Sequence, residues 1–261
     1  MAMNRASFAK TLEPGLNTLF GLEYDSYPAE YEAVFESNTS QKAFEEDVLL
    51  AGFGSAPTKN EGSAISYDDA GQQWTARYQH ETVALAFSIT EEAEEDGQYG
   101  SIASRYTKAL ARSMASTKEI KAANVLNNAT SVNIGDGTTL LSTSHPTQNG
   151  NQSNTLATAA DLSETSLEAI LIQIADMKDE RGLRIAAQGT QLVIPTAYTF
   201  VAERLLESQL RTGTADNDIN AIKSGGYLPK GYHVMRRLTD SDAFFVTTDV
   251  PDGLKMFQRS P

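Results

Sequence analysis

Residues 99–127 read as one uninterrupted helix, with no proline and a single glycine, Gly100, at the very start. At about 1.5 Å per residue such a helix runs roughly 40 Å, well beyond the average globular helix, so it serves as a spine for the chain. Stepping about 100° per residue gathers Tyr99, Ala103, Tyr106, Leu110, Met114, Thr117 and Ile120 into a sector about 120° wide, the predicted buried face. Arg105, Lys108, Arg112 and Glu119 fall together on the far side as an exposed edge. Ala103, Ala109, Ala111, Ala115, Ala122 and Ala123 favour helix at little side-chain entropy cost. Just upstream, Glu91, Glu92, Glu94, Glu95 and Asp96 sit where a helix N-terminus exposes unsatisfied N–H groups and a partial positive charge, which fits a solvated acidic cap.

The segment before the spine has a different texture. Gly54, Pro57 and Gly62 exclude helix; Ile65 and Tyr67 then alternate with polar residues up to a hairpin turn expected at Asp68, Asp69, Ala70 and Gly71. The return strand starts at Gln73 and runs through Trp74, Ala76, Tyr78 and His80, then changes parity and continues through Val83, Leu85, Phe87 and Ile89. If continuous, it spans roughly 55 Å, where ordinary strands cover about five or six residues. An isolated two-stranded hairpin is marginal in water, and this one carries Tyr67, Trp74 and Tyr78 at its distal end. Either it rests on another copy of the chain, or it is the edge of an ordinary sheet, and pattern alone leaves both open.

Further toward the N-terminus, residues 1–21 read as an arm that Pro14 and Gly15 break into a short helix-like piece and an extended piece. Ser26, Tyr27 and Pro28 signal a second short helix bearing Tyr31, Val34 and Phe35 and ending at Asn38 and Ser40. After the spine, residues 127–154 read as strand and loop, with apolar patches at 132–134 and 140–141. Ser163 caps an amphipathic helix carrying Leu167, Ile170, Leu171, Ile174 and Met177, with Gly182 as its expected C-cap. A strand at 191–194 follows. Pro195 opens a helix with Val201, Leu205, Leu206 and Leu210, and residues 211–226 form a polar loop with the composition of a mobile one. Strands around 233–235 and 244–247 close the order, which is that of an α+β fold built in segments.

The chemistry the sequence offers is sparse. His80, His145 and His233 lie in three separate segments, with no metal-site spacing, so no metal is expected. Ser142, Ser144 and His145 are sequence neighbours without a nucleophile elbow, and a turn-forming histidine before Pro146 accounts for them. No glycine-rich phosphate loop is present, and the 91–96 run lacks the alternating Asp/Asn and Gly of a calcium loop, so no cofactor is expected. With 261 residues, 40% of them apolar, the chain can bury a core as one large domain or two small ones. It has no cysteine, hence no disulfide, and no window approaches the roughly 18 apolar residues of a membrane span. A net charge of −13 argues against a protein that grips nucleic acid, because neutralising phosphates takes an excess of Lys and Arg.

Several words of the sequence together resemble the major capsid proteins of tailed bacteriophages, in particular the Mu-type major head subunit. They are Leu22-Glu23-Tyr24 running to Phe35 with its Tyr-Pro-x-x-Tyr core; Tyr67-Asp68-Asp69 with Trp74, Tyr78 and His80; Leu141-Ser142-Thr143-Ser144-His145-Pro146; Ser153-Asn154-Thr155-Leu156; and Asp179-Glu180-Arg181-Gly182. Each is weakly specific alone; their shared order from about residue 20 to 250 carries the resemblance. It implies a tailed-phage major capsid fold with four parts: an N-terminal arm (1–45), an extended hairpin or E-loop (46–90), a peripheral domain with the spine helix (91–150 and 236–261), and an axial domain (151–235). Relatives of this kind carry further chain after the segment that ends here at Pro261.

The same resemblance implies a non-enzymatic structural subunit that self-assembles into hexamers and pentamers of an icosahedral shell. Such a shell forms in the host cytoplasm, encloses double-stranded DNA that it contacts non-specifically at most, and becomes part of the virion. Scaffold, portal and decoration proteins would be its further partners. An acidic surface suits DNA packed close by without sticking. The family supplies no catalytic residues. The expected inter-subunit contacts set Tyr67, Asp68, Asp69, Trp74 and Tyr78 of the hairpin against Arg105, Lys108 and Arg112 of a neighbour's spine. Two other classes stay open: an oligomeric enzyme with a hairpin interface, and a tail or adhesion component.

Overall fold

The computed structural model describes residues 9–88, 99–211 and 218–259. The acidic run at 91–96, the first residues of the arm, the middle of the 211–226 loop, Ile89 and Pro261 lie outside them. The chain divides into two compact units, one made of Met1–Tyr31 with Glu81–Ala122, the other of Glu32–His80 with Ala123–Pro261.

The first unit contains α1 (Ala9–Asp25) and most of α2 (Tyr99–Asn127), whose bounds are those of the expected spine. Helix α1 passes unbroken through Pro14 and Gly15, where the sequence suggested a break. A proline costs an interior helix about 3 kcal/mol. That cost is local, and the turns after it are secured by the Phe20–Tyr24 ring stack at 5.9 Å and by Glu23, which pairs with Lys108 at 3.5 Å.

The buried face of α2 agrees with the predicted stripe at Ala103 and departs from it elsewhere. Tyr106 and Ile120 are exposed, and the buried positions are Ala103, Thr107, Ala111, Glu119, Ala122, Ala123 and Leu126. The buried side turns around the axis along the helix, because α2 ends in the second unit, where Ala123 and Leu126 belong to a different core. A single sector fitted to the whole length averages the two. The alanines therefore act as contact surface as well as helix formers. Glu119, expected on the exposed edge, is buried and accepts the Glu30 N–H at 2.8 Å. Beside it the Lys118 ammonium lies 5.0 Å from the centre of the buried Tyr31 ring.

In the second unit a three-stranded sheet of order β7-β6-β8 forms the centre: β6 (Gly189–Ile194) lies parallel to β7 (Tyr232–Val234) and antiparallel to β8 (Phe245–Thr248). Strand β6 is buried on both faces, as its apolar run requires. Leu192 and Ile194 pack with Leu162, Leu167, Ala202, Leu206 and Ile222; Val193 faces the other way, onto Ala123, Leu126 and Met235. Helix α3 (Glu164–Ala175) starts as expected at Ser163, in a capping box where Ser163 and Ser166 satisfy each other's backbone N–H groups. Its C-cap is Asp176. Gly182, at φ +84°, instead closes a turn in which its N–H donates to the Asp179 carbonyl at 3.0 Å. Helix α4 (Thr199–Glu207) follows Pro195, as read; Leu210 lies beyond it, in a bridge to Ile219. The expected loop after Arg211 contains α5 (Ala221–Gly225), because the buried Asn220 side chain caps the Ile222 and Lys223 N–H groups.

The predicted second helix is a single 3-10 turn, Tyr31–Ala33, followed by β1 (Glu36–Thr39), which pairs in parallel with β9 (Lys255–Gln258). Tyr31 and Phe35 are buried as their spacing suggested, but a distant strand captures the chain after them. The axial segment proposed at 151–235 does not close on itself either, since β8, from the stretch assigned to the peripheral domain, pairs with β6.

Candidate assembly interfaces

The hairpin is real, with different strands from those expected. β2 (Phe44–Ala51) pairs antiparallel with β3 (Gly71–Gln79), and Phe44 lies opposite Gln79. Because β2 begins there, residues 80–88 have no ladder partner, and the expected 17-residue strand stops at nine. Residues 52–70 form a long loop without strand structure. Its sharp turn is at 60–63, where Gly62 (φ +81°) occupies the third position and the Ser63 N–H donates to the Asn60 carbonyl at 3.2 Å; no such turn forms at 68–71.

Three contacts fix the hairpin to its own unit. The Trp74 indole covers Gly135 so closely that a Cβ there would lie 2.4 Å from the ring. The Tyr78 ring packs on Phe257 at 5.0 Å. Lys255, largely enclosed, bridges Asp252 at 2.6 Å and Asp47 at 2.8 Å, and those two bonds raise its pKa above the ordinary lysine value. Burial and then the nearby Asp47 charge push the Tyr78 hydroxyl up. The two-stranded ribbon thus gains its stability from its own chain.

At the far end of the hairpin, the Asp68 carboxylate accepts the Gly54 N–H at 2.8 Å and the Arg181 guanidinium at 2.6 Å, and these hold its carboxyl below the usual range. Arg181 also donates to the Gln148 side chain at 3.0 Å. Tyr67 is 93% exposed, and Asp69 is exposed with its backbone N–H on Asp68. On the spine edge, Arg105, Lys108 and Arg112 are all exposed, as expected. Lys108 pairs with Glu23, whereas Arg105 and Arg112 form no ion pair among the described residues. Of the eight residues singled out in the sequence, Asp68, Trp74, Tyr78 and Lys108 are therefore engaged within the chain, and Tyr67, Asp69, Arg105 and Arg112 face outward. Sequence reasoning missed Gly135 and Lys255, and named Arg181 only within Asp179-Glu180-Arg181-Gly182, one of the words that carry the family resemblance.

His145 is in a short hairpin formed by β4 (His145–Thr147) and β5 (Gly150–Gln152). Its Nδ1 bonds the enclosed Asp136 carboxylate at 2.6 Å, and Thr138 lies alongside. Nε2 is buried and has no hydrogen-bond partner among the described residues, so no serine completes a triad. Among the described residues, no group of three or more His, Asp or Glu is arranged to hold a metal ion, and no helix is long and apolar enough to cross a membrane.

A sequence profile of the phage capsid protein family matches residues 73–261, most of the chain. The chain belongs to the phage capsid protein family. Its fold is similar to that of solved phage capsid structures. The bacteriophage JBD30 capsid aligns at TM-score 0.60 and 13% identity over 80% of this chain and 90% of that one. The JBD30 capsid decorated with minor capsid protein trimers aligns at 0.60 and 14%, over 82% and 92% of the two chains. The JBD30 procapsid aligns at 0.57 and 14%, over 90% and 99%. At such identities the likeness establishes the α+β capsid fold. No curated protein sequence matches the chain.

Proposed function

We infer that this chain is the major capsid protein of a tailed bacteriophage, a structural subunit of the virion whose copies build an icosahedral shell from hexamers and pentamers around double-stranded DNA. The observation that carries this reading is the family match over 73–261. The agreement with a procapsid subunit over 90% of the chain supports it. The subunit works through interfaces rather than catalysis, and the enclosed Nε2 of His145 supports that view. In this reading residues 1–45 are the arm and 46–90 the extended loop. Residues 91–150 with 236–261 are the peripheral domain around α2, and 151–235 the axial domain, whose sheet borrows β8. The collinear sequence words support the Mu-type subfamily. Tyr67 and Asp69 on the loop and Arg105 and Arg112 on the spine are the proposed inter-subunit contacts, supported by their exposure. Scaffold, portal and decoration proteins complete the partner set, and a related capsid decorated with minor capsid protein trimers supports the last of these.

Sedimentation velocity of the purified chain tests the reading. Capsomers or larger closed assemblies are expected, each subunit burying well over about 2,000 Å². A compact monomer at high concentration would overturn it.

A further inference from the structure

The end of α1 and one side of α2 flank an open groove of about 660 Å³, within the size range of ligand sites. Its wall on α2 is a stripe at four-residue spacing, Lys108, Arg112, Ser116 and Ile120, so successive positions follow one another about 6 Å apart along the helix axis. Glu23 and Tyr27 line the groove from the α1 side. One carboxylate therefore already occupies it: Glu23 accepts the Tyr27 hydroxyl on Oε1 at 3.2 Å and faces the Lys108 ammonium with Oε2 at 3.5 Å. One turn further on, Arg112 is exposed and has no ion pair among the described residues. About two turns beyond Arg112, Ile120 is 44% exposed.

We propose that this groove binds an acidic peptide segment of a second protein, whose carboxylate takes Arg112 and whose apolar side chain, about 12 Å further along, covers Ile120. This partner is additional to the shell contacts, and the free subunit binds it before a neighbouring copy reaches Arg112. Glu23 shows what the groove accepts, a carboxylate held by one cation and one hydroxyl. Arg112 offers the next such place, with a guanidinium that can pair with a carboxylate through two parallel N–H bonds. Charge complementarity selects the occupant. In a chain with 34 acidic and 21 basic side chains, Arg105, Lys108 and Arg112 make one cationic edge that attracts an anionic group locally, while the net charge of −13 repels a long polyanion as a whole. A nucleic-acid strand also fits the walls less well. The Glu23 carboxylate opposes a continuous run of phosphates, and Ile120 gives a phosphate nothing to bind, whereas a peptide presents charged and apolar side chains at this spacing.

Fluorescence anisotropy tests this on the full chain, held below the concentration at which particles form, with labelled alanine-rich helical peptides that carry a glutamate and a leucine two turns apart, in either order. All variants are first matched to wild type by circular dichroism. Arg112→Ala is expected to weaken binding about fivefold or more, and Arg105→Ala, an exposed cation of the same edge outside the groove, by less than about twofold. Ile120→Ser should weaken the leucine peptide and leave its alanine counterpart unchanged. Glu23→Gln vacates Lys108, so a peptide with a second glutamate one turn from the first should gain about threefold in affinity, a gain that a damaged fold would not give. Equal affinity of wild type and Arg112→Ala, or equal losses from Arg112→Ala and Arg105→Ala, would overturn the proposal. So would tighter, Arg112-dependent binding of a double-stranded DNA fragment, which assigns the groove to nucleic acid, or an Arg112-dependent dimer without peptide affinity, which assigns it to a second copy. Particle formation is measured separately and decides the shell reading whichever way the peptides behave.

Discussion

Replacing Gly135 with alanine puts a methyl group where the Trp74 indole already lies. The new Cβ would be 2.4 Å from Cε3 and 2.7 Å from Cζ3, against the roughly 3.5–4.0 Å of a comfortable carbon–carbon contact, so the ring must move by about 1 Å. Retreat on the other side of the site is limited, because the same Cβ would lie 3.3 Å from the Ala76 Cα, which is backbone. Overpacking of this kind costs about 1–3 kcal/mol. Gly135 has no left-handed backbone, so the cost is purely one of space. Trp74 is the chain's only tryptophan, which makes its emission a direct reporter. Denaturant unfolding followed by fluorescence should show the loss in stability together with a red shift in the folded baseline. In a Trp74→Ala background the obstruction is gone, and the same glycine substitution should cost within about 0.5 kcal/mol of nothing. Equal costs in the two backgrounds, or an unchanged emission maximum in the single variant, would refute the claim that the indole clamps the hairpin to its own body.

Three further outcomes are expected. Excising residues 55–66 and bridging with a short Gly-Ser link should leave a folded subunit, since Trp74, Tyr78 and the helices remain, yet abolish particles; collapse of helical circular dichroism would show the loop to be core. Arg105→Glu with Arg112→Glu should raise the assembly concentration severalfold at low salt, with the gap to wild type narrowing toward 1 M salt, where the screening length is about 3 Å; a salt-independent gap would point away from charge. Burial raises the Asp136 carboxyl, but bonds from His145 and Thr138 outweigh it and set it below the ordinary 3.8, so its stabilisation is complete above that value and lost as pH falls through the lowered one. Asp136→Asn should therefore cost about 1–2 kcal/mol at neutral pH and progressively less below about pH 4, and a pH-independent cost would refute the assignment.

The spine was legible because its length and lack of breakers leave no other structure, and Ser163, Pro195 and the apolar run at 191–194 placed α3, α4 and β6 for equally local reasons. The failures share a different cause. Strand β2 carries Glu45, Glu46 and Asp47, residue types that strands disfavour, and it forms because Ala76, Arg77 and Tyr78 lie opposite. β1 exists only through β9, more than 200 residues later in the chain (Glu36 opposite Lys255). Stopping β3 at Gln79 requires knowing where its partner begins. The bond from Arg181 to Asp68 joins positions 113 apart, a relation that no local pattern encodes. On the spine the apolar count pointed to Tyr106 and Ile120, while close approach chose Ala111, Ala122 and Ala123, because small residues let packed backbones come near.

Cryo-electron microscopy of the purified chain over rising concentration tests the shell reading most directly. Closed icosahedral particles built from hexameric and pentameric capsomers should appear above a threshold, with residues 52–70 lying against a neighbouring copy. A chain that remains a 28.3 kDa monomer at every concentration, or stops at a small ring or trimer, would contradict it.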